Sequence, residues 1–200
     1  MSTSRLEAFS DGVFAIAITL LVLEIHVPVD QGADLWHALG RQWPSYVGFV
    51  VSFVTIGIIW VNHHTLYHEL AQVDRTLLFL NLFLLMSVAF IPFTTALMAD
   101  YLNKSQGQDV ATAVYAGSLL LMAWGFTAIN AYLYTHRHLG EERLDPRERR
   151  ARLVGNATGQ FAYLAAIGLA FVNAYASIAL CGLVAAAYIS EGWARRGAPS

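Results

Sequence analysis

Six long apolar blocks govern what this chain can become: about 6–26, 45–69, 76–99, 110–135, 153–172 and 174–192. Each reaches the roughly 20 predominantly apolar residues that a helix needs to cross a bilayer. A soluble core does not need them, because a helix on its surface must turn a polar face to water. Charged residues make up only 13% of the chain, against about a quarter in ordinary soluble domains. The 200 residues leave little room for anything outside the blocks. The expectation is an all-α membrane protein with six transmembrane helices per subunit, forming one domain over residues 1–200.

Basic residues set the orientation. With the N-terminus in the cytoplasm, Arg5, Arg75, Arg137, Arg143, Arg147, Arg149, Arg150, Arg152, Arg195 and Arg196 fall inside, and only Arg41 and Lys104 fall outside. That bias follows the positive-inside rule and requires an even number of spans, so both termini are expected in the cytoplasm. The first block reads as a retained helix and not a signal peptide. Glu7 and Asp11 are wrong for a basic leader, and no small-x-small site follows "LEIHVPVD". The lone Cys181 excludes an internal disulfide, and a net charge of −2 gives no signal for nucleic acid.

Along the chain, "HVPVDQGADLWHALGRQW" is the longer external loop, with room for a short interfacial helix and with Trp36 and Trp43 suited to the headgroup region. Pro92 is expected to kink the third span. "HRHLGEERLDPRERRAR" carries six arginines and four acids, a largely self-paired solvated loop with anionic lipid as a lesser partner. The last two blocks meet at Asn173 as a hairpin, and Gly155 and Gly159 have the spacing of a helix-packing face.

Polar residues recur at one depth. Counted inward from the cytoplasmic ends, Asp11, the pair His63 and His64, Asn81 and Asn130 each lie about six residues in, roughly 9 Å. Asn156, Thr158 and Gln160 lie at a comparable level. A charged group inside a bilayer costs about 2.5–3.5 kcal/mol on insertion scales, so each of these needs a partner. Arg5 cannot serve Asp11, because six residues of helix turn them about 120° apart. The layer reads as a hydrogen-bond network that locks the helices; the sharper reading is a proton or gating site.

On a helical projection of the first block, Arg5, Phe9, Gly12, Ile16, Thr19, Leu20 and Leu23 form one stripe, with Asp11, Ala15, Ile18 and Val22 on another face. Such a stripe is a packing face or a pore lining. In a symmetric oligomer around this helix it would give stacked apolar rings, which close a pore by dewetting.

The segment "RLEAFSDGVFAIAITLLVLEI", with "WVNHH" in the second block and Asn81 and Pro92 in the third, resembles the transmembrane-protein-175 family of potassium channels. The Arg-x-x-x-Phe-Ser-Asp motif carries the resemblance most specifically. It implies a potassium-preferring cation channel, a homotetramer of six-span subunits in the bacterial cell membrane, in which the first helix lines the pore. It also implies a constriction at Ile16, Leu20 and Leu23 and a hydroxyl layer at Thr19. Arg5, Phe9, Ser10, Asp11, Trp60, His63, His64 and Asn81 would then form a structural or gating network. No "TVGYG"-like stretch occurs, so selectivity would come from dehydration at a narrow apolar ring. No cofactor is expected beyond the permeant potassium ion.

Two other readings compete. His64 and His68 stand at i, i+4 with His63 and Glu69 nearby, a spacing that suits a metal, and His136 and His138 lie on the same side. That would make an intramembrane metal-binding enzyme, although "HHTLYHE" is not "HExxH". A proton-coupled transporter would use Asp11 with His63 or His64 and would predict inverted repeats, none of which is visible.

Overall fold

A computed structural model describes residues 3–26, 34–68, 70–104, 106–136, 139 and 146–196, with only the course of the helix for 146–156 and 191–196. Helix α1, Thr3–Leu20, passes without a break into a 3-10 turn, Leu21–Glu24. The connection between the first two long helices carries the short α2, Leu35–Arg41, capped by the Asp34 carboxylate, which accepts from Trp36 N–H. Then follow α3 (Trp43–His68), α4 (Arg75–Tyr101), α5 (Gln108–Thr135), α6 (Pro146–Ala170) and α7 (Ala174–Arg196). No strand occurs among the described residues.

Four of these helices are long and apolar enough to cross a membrane: Thr3–Glu24, α3, α4 and α5, with mean hydropathies of 1.9, 1.8, 2.2 and 1.5. Within α6 and α7 the described apolar stretches are shorter, Ala157–Ala170 and Ala174–Ser190. Helix α6 starts seven residues before its apolar block because Pro146 opens a helix well: its fixed φ suits the first turn, where its missing N–H costs nothing.

The caps explain the boundaries. Asp74 accepts from Leu77 N–H at 2.8 Å to start α4, and its other oxygen accepts from the Tyr132 hydroxyl of α5. Gly107 precedes α5 with φ of 83°; a Cβ there would lie 2.9 Å from the Tyr101 ring, so the turn takes a glycine. Asn173 accepts from Ala176 N–H to open α7, and Ser177 Oγ donates back to Ala166 C=O at 2.7 Å, closing the α6–α7 hairpin. Pro92 lies inside α4, where it leaves the Val88 carbonyl without its donor.

Helix α4 packs against α1, α3 and α5, and α5 in turn against α6 and α7. The core between them is sealed by Leu84, Val88, Ile91, Tyr115, Leu119 and Ile129, all fully buried. Gly159 lies under the Tyr188 hydroxyl, where a Cβ would meet it at 2.2 Å, so that part of the glycine pair is a contact between α6 and α7. Gly155 lies outside the described side chains. The amides of Ala71 and Gln72 both donate to Leu139 C=O, fastening the α5–α6 connector to the turn between α3 and α4.

Candidate functional site

Helix α1 has a gripped back and a bare front. Leu6, Ser10, Phe14 and Ala17, with Leu21 beyond, recur every three or four residues and are buried against α3 and α4. The opposite face carries the stripe. Ile16 is 61% exposed, Leu20 42%, Leu23 68% and Phe9 51%, and Arg5, Gly12 and Thr19 are exposed with them. The Thr19 hydroxyl spends its proton on the Ala15 and Ile16 carbonyls at 3.0 and 2.9 Å, so its oxygen lone pairs remain for the open side.

The back of α1 is held by a directed chain of hydrogen bonds. Ser10 donates to Leu6 C=O at 2.9 Å and therefore accepts from Asn81 Nδ2 at 3.0 Å. Asn81 thus turns its carbonyl to His63 Nε2 at 2.9 Å, and that ring nitrogen carries the proton. Ser10, Asn81 and His63 are all fully buried. His63 also stacks on Tyr67 with centroids 3.9 Å apart, and the Phe14 ring lies tilted against it with centroids 5.3 Å apart. Its Nδ1 and the Tyr67 hydroxyl have no partner among the described residues.

Asp11 is served by Trp60, whose indole N–H donates to it at 2.9 Å. Neither His63 nor His64 takes that place. His64 Nδ1 instead lies 2.8 Å from the Glu7 carboxylate, one turn nearer the helix start. Arg5 and Phe9 are not drawn into these bonds. His63 and His64 thus face different partners, and His64 and His68 stand with ring centroids 6.2 Å apart. Among the described residues no three His, Cys, Asp or Glu side chains come together to hold a metal.

The rest of the polar layer divides. Gln160 donates to Thr127 Oγ1 at 2.6 Å between α6 and α5, away from α1, while Asn130, among the described residues, bonds to its own helix at Phe126 C=O. Asn156, Glu69 and His138 lie outside the described side chains. A second buried cluster was not marked in the sequence reading: Ser52, Thr95 and Tyr115 share hydrogen bonds of 2.8 and 2.9 Å, and Thr94 bonds Ser118 at 2.8 Å. Its signal was available, since hydroxyls at 52, 94, 95, 115 and 118 stand within apolar stretches of α3, α4 and α5, in the halves away from His63 and Asn81.

The arrangement holds one helix from behind while its apolar front is left exposed among the described residues. Fold and site together define a helical membrane protein whose first helix keeps one apolar face exposed. A sequence description of the family "Endosomal/lysosomal potassium channel TMEM175" matches residues 5–92. The chain belongs to the TMEM175 family, whose similar members are named as channels and not as enzymes. It is 50% identical to a protein of Streptomyces collinus named a potassium channel, over 93% of this chain and 91% of that one. The crystal structure of a lysosomal potassium-selective channel TMEM175 homolog from Chamaesiphon minutus matches with a TM-score of 0.84 and 41% identity, covering 94% of this chain and 97% of that one. The human endosomal/lysosomal proton channel TMEM175 is 31% identical over 64% of this chain and 28% of its own length.

Proposed function

We propose that the chain is one subunit of a potassium-preferring cation channel, conducting passively through a central pore lined by α1. Residues 1–200 form one six-span channel domain with both termini in the cytoplasm of a bacterial cell, embedded in its plasma membrane. Four copies surround the pore, so that each α1 stripe contributes one position to a stack of rings. Ile16, Leu20 and Leu23 make the apolar constriction, and Thr19 supplies a layer of oxygens within it. The observation that carries this reading is the open stripe itself, apolar side chains left bare on a helix whose other face is fully packed. A lipid-facing helix would be bare too, but it would not need a buried chain from Ser10 to His63 to fix its rotation.

The chemistry is dehydration. The apolar rings of Ile16, Leu20 and Leu23 replace little of the lost water, with oxygens only at the Thr19 layer, so the ion that sheds water more readily passes more easily, and potassium does so more readily than sodium. Arg5, Phe9, Ser10, Asp11, Trp60, His63, His64 and Asn81 set the rotation and tilt of the helix that presents the rings. The names of relatives as potassium channels support the choice of ion.

The test is the reversal potential of the purified protein in a planar bilayer, with potassium on one side and sodium on the other. Discrete currents reversing toward the potassium equilibrium potential are expected. Ile16→Asn, which wets the first ring, is expected to move the reversal potential toward zero and to raise conductance. Unchanged selectivity and conductance in that variant would refute the constriction.

A further inference from the structure

The buried hydroxyls of α3, α4 and α5 form a second chain with a single direction. Thr95 spends its proton on Ile91 C=O at 2.8 Å, so it accepts from Ser52, 2.8 Å away. Ser52 then has only lone pairs left for Tyr115, whose hydroxyl donates to it at 2.9 Å. Beside them Thr94 donates to Ile91 C=O at 3.1 Å and lies 2.8 Å from Ser118 Oγ. Ser52, Thr94, Thr95 and Tyr115 are all shut away from solvent.

The chain stands where α4 holds itself least. Pro92 has no N–H to give to Val88 C=O, so one bond of the helix ladder is missing there. A helix bends at such a gap. Thr94 and Thr95 follow the gap directly, and their hydroxyls reach α5 and α3. The course of α4 beyond the proline is thus fixed by its neighbours where its own backbone fixes it less.

That course bears on the first helix. Helix α3 runs against α1, since Glu7 meets His64 and Asp11 meets Trp60. It also runs against α4, since Asn81 meets His63 and Thr95 meets Ser52. From the joined Ser10, Asn81 and His63, a step of eleven residues leads to Leu21, Pro92 and Ser52. These stand at a second common level, about 16 Å along. Leu21 is fully buried there, and its 3-10 turn packs against both α3 and α4. The seat of Leu21 is therefore made by the two helices that the Ser52–Thr95 bond ties together.

We propose that Thr95, Ser52 and Tyr115 are positioning residues for Leu20 and Leu23. Their hydroxyl chain fixes α4 beyond Pro92 against α3, and so seats the turn that presents Leu23. The effect on conduction rests on α1 lining the pore; the coupling from Thr95 to Leu23 does not.

The full-length protein carrying Leu23→Cys or Ile16→Cys would be reduced in detergent and reacted with a charged methanethiosulfonate, the rate being read by intact mass spectrometry. The native Cys181 is buried, and the wild type gives its background. Thr95→Val keeps the side-chain shape and loses the hydroxyl. It should change the rate at Leu23→Cys several-fold and leave nearly unchanged the rate at Ile16→Cys, which lies closer to the Ser10–Asn81–His63 bonds. Thr95→Ser, which restores the hydroxyl, should restore the rate. Tyr115→Phe removes only the first donor, so it should act in the same direction and more weakly, and it serves if Thr95→Val does not fold. In planar bilayers Thr95→Val should move the reversal potential between potassium and sodium toward zero, and Thr95→Ser should not. An unchanged rate at Leu23→Cys, equal changes at Leu23→Cys and Ile16→Cys, or a Thr95→Ser variant that behaves as Thr95→Val does would each overturn the proposal. A current that the adduct at Leu23→Cys leaves untouched would instead refute α1 as the pore lining, with the coupling intact.

Discussion

Asn81 commits both halves of its amide, donating to Ser10 and accepting from His63, with all three residues shut away from solvent. Replacing it with leucine strands the His63 N–H in the core. Leaving such a donor unpaired costs about 1–3 kcal/mol, so Asn81→Leu should lower thermal stability in detergent by that order. Trp60→Phe removes a bond to Asp11, a half-buried carboxylate that water can still reach, and should cost clearly less. Equal losses in the two unfolding curves would mean that the buried chain does not anchor α1. The sequence made Asp11, His63 and Asn81 legible as residues needing partners, because depth can be counted along a helix, whereas Ser10 entered only through the family resemblance. It did not pair them. Counting residues gives the level of a side chain but not the side of a neighbouring helix it meets, so Trp60 as the partner of Asp11 and Glu7 as that of His64 emerge only from the packing.

Helix α5 crosses α4 closely at Gly125, where an added Cβ would stand 3.2 Å from Leu84 Cα. Backbone cannot step aside as a side chain can. Gly125→Ala should therefore force the two helices apart and cost about 1–3 kcal/mol, as overpacking does. Gly48 is also crowded, but by the Met98 methyl and the Thr95 methyl, each 3.0 Å from the added atom. The Met98 end can rotate, so Gly48→Ala should cost less than Gly125→Ala. Gly117 has nothing within 4 Å, and Gly117→Ala should raise stability by about 0.4–1 kcal/mol by stiffening the unfolded chain. Melting the three variants side by side checks the order. Helix positions were readable to within a few residues because hydropathy marks what lies in the bilayer. The start of α6 was not, because its first turns are arginine-rich and a hydropathy criterion stops at them. The crowding at Gly125 was hidden too, since a glycine shows nothing of what lies over it.

The molecule as a whole presents an unfinished surface, for the stripe of α1 is left exposed among the described residues. If four stripes meet on an axis, cysteines on them come within reach of one another. Oxidation of Leu23→Cys in membranes should give disulfide-linked subunit dimers, whereas Phe161→Cys, at a site 72% exposed on α6, should remain monomeric. Equal cross-linking at the two positions would place the stripe away from the axis. The four membrane-length helices and the exposed stripe were both legible, because each is a matter of period and length within one segment. The number of subunits is not written in any single segment, and it entered only through family resemblance.

The turn at Leu21–Glu24 changes the pitch of the first helix just where the stripe ends. Had the α winding continued, Glu24 would lie about 40° from Leu20, over the stripe. At three residues per turn, Leu23 eclipses Leu20 and Glu24 swings about 120° aside. Leu23 is accordingly bare and Glu24 half-buried. If four stripes meet on an axis, these four residues of tighter screw choose between two mouths for the ring they would form. One is a greasy collar, the other a crown of carboxylates that would gather cations instead of stripping their water.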